Sequence, residues 1–155
     1  MNNTKKTMKI RTTILVVCAI TFSFFSCDRN DGDGDSMVWK AEVPVTISSN
    51  TYDVSNHGGT IAFTCRNYSN PRISVAMSGE THDFPERIFH EIEINDSHKV
   101  TTDWFVAEIV GNKLTISFEP NNESWEQLLN LTVTSGDVFY TFNFKQEALP
   151  LRTNG

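Results

Sequence analysis

The chain has 155 residues, with 13 Lys+Arg against 19 Asp+Glu and a formal net charge of −6. That length holds one domain of ordinary size. The acidic balance repels phosphate backbones and argues against nucleic acid as a partner, and three cysteines are too few for a disulfide framework.

Lys5, Lys6, Lys9 and Arg11 form a basic start free of acidic residues, and an apolar run of 12 residues, 14–25, follows. The run is too short to span about 30 Å of hydrocarbon as a helix and fits a secretory core instead. Small Ser26 and then Cys27 come next, with Phe24 three places before the cysteine. The stretch resembles a bacterial lipoprotein signal, although such signals usually carry Leu where Phe24 stands. The resemblance implies cleavage between Ser26 and Cys27 and a diacylglycerol and palmitate anchor on the Cys27 thiol. An ordinary cleaved signal or a signal anchor are the alternatives, and Met8 is a second candidate start. Residues 1–26 hold four of the basic groups and none of the acidic ones, so 27–155 carry 9 against 19, a formal −10. Charge would not hold such a chain to anionic lipid, whereas acyl chains contribute about 0.8 kcal/mol per buried CH₂. With Cys18 removed and Cys27 acylated, Cys65 stands alone, without an intrachain disulfide or a cysteine zinc site, and its alternating apolar surroundings predict burial.

Residues 27–36 are acidic, contain two glycines and lack apolar periodicity, which predicts a flexible tether. An acidic run directly after such a cysteine is similar to the surface-export signals of Bacteroidota lipoproteins. That likeness implies the outer membrane, facing outward. Asp31, Asp33, Asp35 and Glu42 match the spacing of an EF-hand calcium loop, but Ser36 replaces the turn glycine and no helix flanks it, so the calcium candidate is weak. Asp35-Ser36-Met37 resembles an O-glycosylation motif of the same bacteria.

From residue 37 to 150 the pattern is that of a β-domain. Trp39, Ala41, Val43, Val45 and Ile47 alternate with polar neighbours and read as one half-buried strand, at an edge or bulged because Pro44 lacks an N–H. A short strand at 51–55, a turn at 56–59 and the alternating sets Ile61, Phe63, Cys65 and Ile73, Val75, Met77 follow. Residues 78–86 read as a loop, 87–94 as a strand and 95–99 as a turn. Gly111-Asn112 sits between two alternating runs, a tight-hairpin signal. Trp125 opens a stretch of at most one helical turn, and strands led by Leu129, Leu131, Val133 and by Val138, Tyr140, Phe142, Phe144 close the domain around Ser135-Gly136-Asp137. Some eight or nine short strands without a useful amphipathic helix predict an all-β, two-sheet antiparallel sandwich.

Several stretches together resemble the BACON domain: Gly58-Gly59-Thr60, Asp103-Trp104-Phe105, the 111–122 hairpin and its Asn-rich exit, and Thr132-Val133-Thr134 running on to Gln146. The likeness spans about residues 50–147 and implies a single immunoglobulin-like β-sandwich and an association with carbohydrate. The family often has a further Trp in the strand at 72–76, absent here, and a shorter middle than 78–99. The expected organisation is signal 1–26, tether 27–36 and sandwich 37–150.

No chemistry stands out. His57, His82, His90 and His98 lack metal-like spacing, and His82-Asp83 and His90-Glu91 are neighbours that point to opposite faces of an extended chain. No nucleophile elbow or phosphate-cradling loop occurs, and Glu91 with Glu93 reads as a wetted strand face. The expectation is therefore no enzyme, no catalytic residue, no metal and no cofactor. Aromatic faces can stack on sugars. Trp39 and Trp104 alternate inward, which leaves Trp125, Tyr68 and Tyr52, near turns, as glycan-contact candidates, with Trp125 first because polar residues 121–124 precede it. The expected function is a surface-anchored lipoprotein whose BACON-like module contacts glycan or mediates adhesion. The alternative is a non-catalytic structural or protein-interaction subunit of an outer-membrane assembly. Partners are the membrane through the lipid, and a glycan or a protein.

Overall fold

Period-two patterning becomes eleven strands among the described residues, which in this computed structural model are 34–81 and 87–150. In chain order they are β1 (Trp39–Ala41), β2 (Thr46–Ser48), β3 (Thr51–Val54), β4 (Gly59–Cys65), β5 (Arg72–Thr81) and β6 (Arg87–Glu91). Then come β7 (Lys99–Thr101), β8 (Phe105–Val110), β9 (Lys113–Phe118), β10 (Glu126–Ser135) and β11 (Val138–Gln146). They form a five-stranded sheet, β1-β4-β9-β8-β7, and a six-stranded sheet, β2-β3-β11-β10-β5-β6. The all-β sandwich expected from the pattern is what forms. One pair departs from the antiparallel rule: β3 runs parallel to β11, Tyr52 beside Phe144.

Three two-residue turns set hairpin register. Gly111-Asn112 joins β8 to β9 with φ +61° at the glycine, and Gly136-Asp137 joins β10 to β11 with φ +59°. Positive φ at the first central residue is the type II′ geometry that matches strand twist. Ser49-Asn50 joins β2 to β3 with both φ positive, 49° and 64°, the type I′ pattern.

The stretch read as one strand over 39–47 is two strands in different sheets. β1 pairs with β4 and β2 pairs with β3, and Pro44 lies where the chain crosses. A proline cannot donate to a ladder, so pairing stops there and the chain is free to change sheets. Two further boundaries shift. The loop expected over 78–86 does not start at 78, because β5 continues to Thr81, and Glu126 to Leu128 extend β10 rather than forming a helical turn. Residues 82–86, with His82 and Asp83, lie outside the described set.

The core lies between the sheets. Phe63, Phe105, Leu114 and Ile116 from one sheet meet Leu129, Leu131, Phe142 and Phe144 from the other, all essentially inaccessible. Phe63 and Phe142 lie 4.8 Å apart between ring centres, and Tyr52, Trp39 and Tyr140 pack around them. Cys65 is buried and free, as its alternation predicts.

Candidate functional site

The three aromatics expected to contact glycan do not form a patch. Tyr68 is 4% exposed, and its hydroxyl donates to the Asp35 carbonyl at 2.6 Å. Its ring face is thus unavailable for stacking. Tyr52 is half-buried, stacked on Phe144 and edge-on to Phe63. Burial pushes its phenol up to about 12, with Tyr140 adding to the shift. Trp125 is half-buried just before β10, and its carbonyl accepts from Asn121. Asn121, read from sequence as a group for sugar hydroxyls, is buried and spent. Its Nδ2 donates to the carbonyls of Trp125 and Glu147 and its Oδ1 accepts from the Glu123 N–H, which ties the loop to the end of β11.

Trp39 and Trp104 face inward as expected and are half-buried against the core. The Trp104 indole donates to Ser78 Oγ at 3.1 Å, while that of Trp39 is buried with no partner among the described residues. Only half of the weak calcium candidate, Asp35 and Glu42, falls among the described residues. Asp31 and Asp33 lie outside the described residues, and Glu42 is engaged elsewhere, accepting from Lys113 at 2.6 Å and Thr64 at 2.7 Å. Lys113 first and Thr64 second hold the Glu42 carboxyl below its ordinary value. Among the described residues no group of His, Cys, Asp and Glu could hold a metal ion. Ser26 and Cys27 also lie outside the described residues.

A better-formed site lies on the outer face of the six-stranded sheet. Lys145, Leu128, Gly79 and Phe89 stand in one row across β11, β10, β5 and β6. Gly79 has no side chain, and the Phe89 ring fills that space: a Cβ on Gly79 would lie 2.7 Å from the ring. An aromatic laid over a glycine in the neighbouring strand is a known way to stabilise a sheet. Here it also covers Leu128, which is 5% exposed although it points away from the core. Phe89 itself is half-buried, so part of its ring still meets solvent.

One row away Asn130 pairs with Asn143. Asn130 makes no side-chain hydrogen bond among the described residues, and Asn143 only a long one, 3.5 Å to the Asn50 carbonyl. Arg87 has no ion-pair partner among them either. Lys145 sits between Glu126 at 3.4 Å and Asp53 at 3.8 Å. Ser48, Ser49, Thr51, Arg87, Phe89, Leu128, Asn130, Asn143, Phe144 and Lys145 line an open groove of about 450 Å³. An apolar floor rimmed by unspent amides and hydroxyls suits a ligand with one apolar face and a polar edge. The groove could not be found by listing aromatics near turns. The signal was present in alternation: Leu129 and Leu131 inward place Leu128 and Asn130 outward.

No family model and no curated protein matches the chain. Twenty-three solved chains match in structure. One, the NMR structure of a protein from Bacteroides thetaiotaomicron, has a TM-score of 0.62 and 25% identity, covering 77% of this chain and 94% of that one. The likeness supports the sandwich and points to a protein of the Bacteroidota.

Proposed function

We propose that this is a lipid-anchored surface protein of the Bacteroidota whose BACON-like sandwich contacts glycan through the groove over Phe89. The observation that carries the reading is Phe89 above Gly79 and Leu128, beside the unspent Asn130 carboxamide. Sugars present C–H groups on one face and hydroxyls at the edge, and this groove offers a partner for each. Location rests on the basic and apolar start, Ser26-Cys27 and the acidic tether, and organism on the Bacteroides likeness. A glycan array tests it. Wild-type protein should bind, Phe89→Ala and Asn130→Ala should lose binding without loss of fold, and Trp125→Ala should retain it. Wild type that binds nothing sinks the reading, and loss with Trp125→Ala alone moves the site to the 119–125 loop.

A second reading, a protein-interaction subunit, is favoured by the outer edge of β6, which pairs with no further strand among the described residues and where Ile88 is 41% exposed. Such an edge can accept a strand from a partner. Co-purification of a partner that is lost with Ile88→Lys would support it.

A further inference from the structure

A second aromatic stands at the opposite end of the same sheet face. Phe139 points outward from the start of β11 and is 63% exposed, so no packing accounts for it. It lies opposite Thr134, which in turn lies opposite Arg72. Between Phe139 and Phe89 the face is polar along β11 and β10, with Val75 and Met77 of β5 in the same rows. Thr132 and Thr141 share a hydrogen bond of 2.9 Å, and Asn130 with Asn143 follow in the next outward row. Phe89 is in row with Lys145, six positions along β11 from Phe139 and three strands across. At roughly 3.3 Å per residue and 4.8 Å per strand the rings are separated by a diagonal of about 25 Å, the length of roughly five linked hexoses.

Charge narrows the ligand. Outward-facing Arg72, Arg87 and Lys145 nearly balance Asp53, Glu91, Glu93 and Glu126, three against four, so the described part of the face is close to neutral on a chain of net charge −6. A neutral face neither gathers nor repels ions at a distance, and it suits an uncharged polymer. From this we infer that the outer face of the six-stranded sheet is an extended platform for the interior of a neutral polysaccharide chain. Phe89 and Phe139 hold the two ends of one bound stretch. A chain crossing the face in this way enters and leaves in the open, because the groove is open at the surface. The site therefore selects chain length and not a terminal sugar. The inference rests on the glycan reading above and deepens it.

The test is calorimetric titration of the full chain without its signal, using size series of neutral gluco-, manno- and xylo-oligosaccharides from monosaccharide to octasaccharide. For the series that binds, affinity should climb with length and level off at roughly five units. Phe139→Ala should weaken the octasaccharide about tenfold and leave the disaccharide unchanged, whereas Phe89→Ala should weaken both. Because Phe139 is exposed, its truncation leaves no cavity, and unchanged melting of that variant confirms the fold. Affinity that levels off at two units, or an octasaccharide unaffected by Phe139→Ala, overturns the platform while the Phe89 groove stands. Failure of every series to bind wild type overturns both.

Discussion

Gly58 sits where the backbone of the 55–58 turn meets the end of β9. Its φ is +73°, and a Cβ there would lie 2.3 Å from the Phe118 carbonyl oxygen. Both the left-handed backbone and the contact exclude any other residue without local movement. Gly58→Ala should therefore cost about 3 kcal/mol, more than an ordinary turn glycine. Chemical denaturation measures it, and a cost below about 1 kcal/mol would show that the turn relaxes freely. Tyr52 gives a pH signature. Its phenol is raised from 10.0 to about 12 by burial first and Tyr140 second. The unfolded chain releases that proton near pH 10 and the folded chain near 12. Stability is therefore intact below pH 10 and is lost as pH rises through about 12. Tyr52→Phe should flatten the alkaline fall in melting temperature, and an ultraviolet titration should lose its phenolate step near pH 12. Residue identity was legible in part. The inward alternation of Phe142 and Phe144 could be read directly. The burial of Asn121 could not, because its partners at 56 and 147 reach it only through the fold.

At the level of elements, turn chemistry decided what could be read. Gly111-Asn112 announces its hairpin because glycine takes positive φ at no steric cost. Ser49-Asn50 hides one: a β-carbon at φ 49° is strained, and the pair reads as a generic break. That strain is a prediction. Ser49→Asn with Asn50→Gly supplies the pair preferred for type I′ turns and should stabilise the domain by about 0.5–1 kcal/mol, raising the melting temperature by roughly 3–5 °C. No gain would mean that β2, an exposed three-residue edge strand, frays before the core unfolds. The reverse error occurred at 39–47, where unbroken alternation concealed a crossing between sheets. Alternation reports which side chains face inward but not which sheet supplies the partner, and both sheets of a sandwich share one interior. Only Pro44 marked the change. Gly79 misled differently, since a glycine inside a polar stretch suggests a loop until Phe89 is seen lying over it.

For the whole molecule the question is how the sheet face is presented. The described chain begins at Gly34, and its first residues are held against the domain: Tyr68 donates to the Asp35 carbonyl, and Asn67 donates to that of Ser36 while accepting from the Val38 N–H. Asp35 and Ser36, the last residues of the expected tether, are thus hydrogen-bonded to the sandwich. They enter at the end that carries the 66–71 loop and the turns at 111–112 and 136–137, as the register of β1 on β4 requires. Phe139, one residue into β11, lies at this end, and Phe89 lies toward the other. Seven residue steps separate Cys27 from Gly34, a reach of at most about 25 Å. If Cys27 carries the proposed lipid, the domain stands close to the membrane with Phe139 proximal and Phe89 distal, and anchoring and binding are properties of separate parts of the chain. Cys27→Ser separates them experimentally. Palmitate labelling should vanish and cells should lose adhesion to the polysaccharide. The purified protein should keep both its melting temperature and its glycan affinity, because every core and groove residue lies beyond residue 34. Labelling that persists in Cys27→Ser removes the basis for the proposed location, while a shifted melting temperature would show that the segment before Gly34 contributes to the fold.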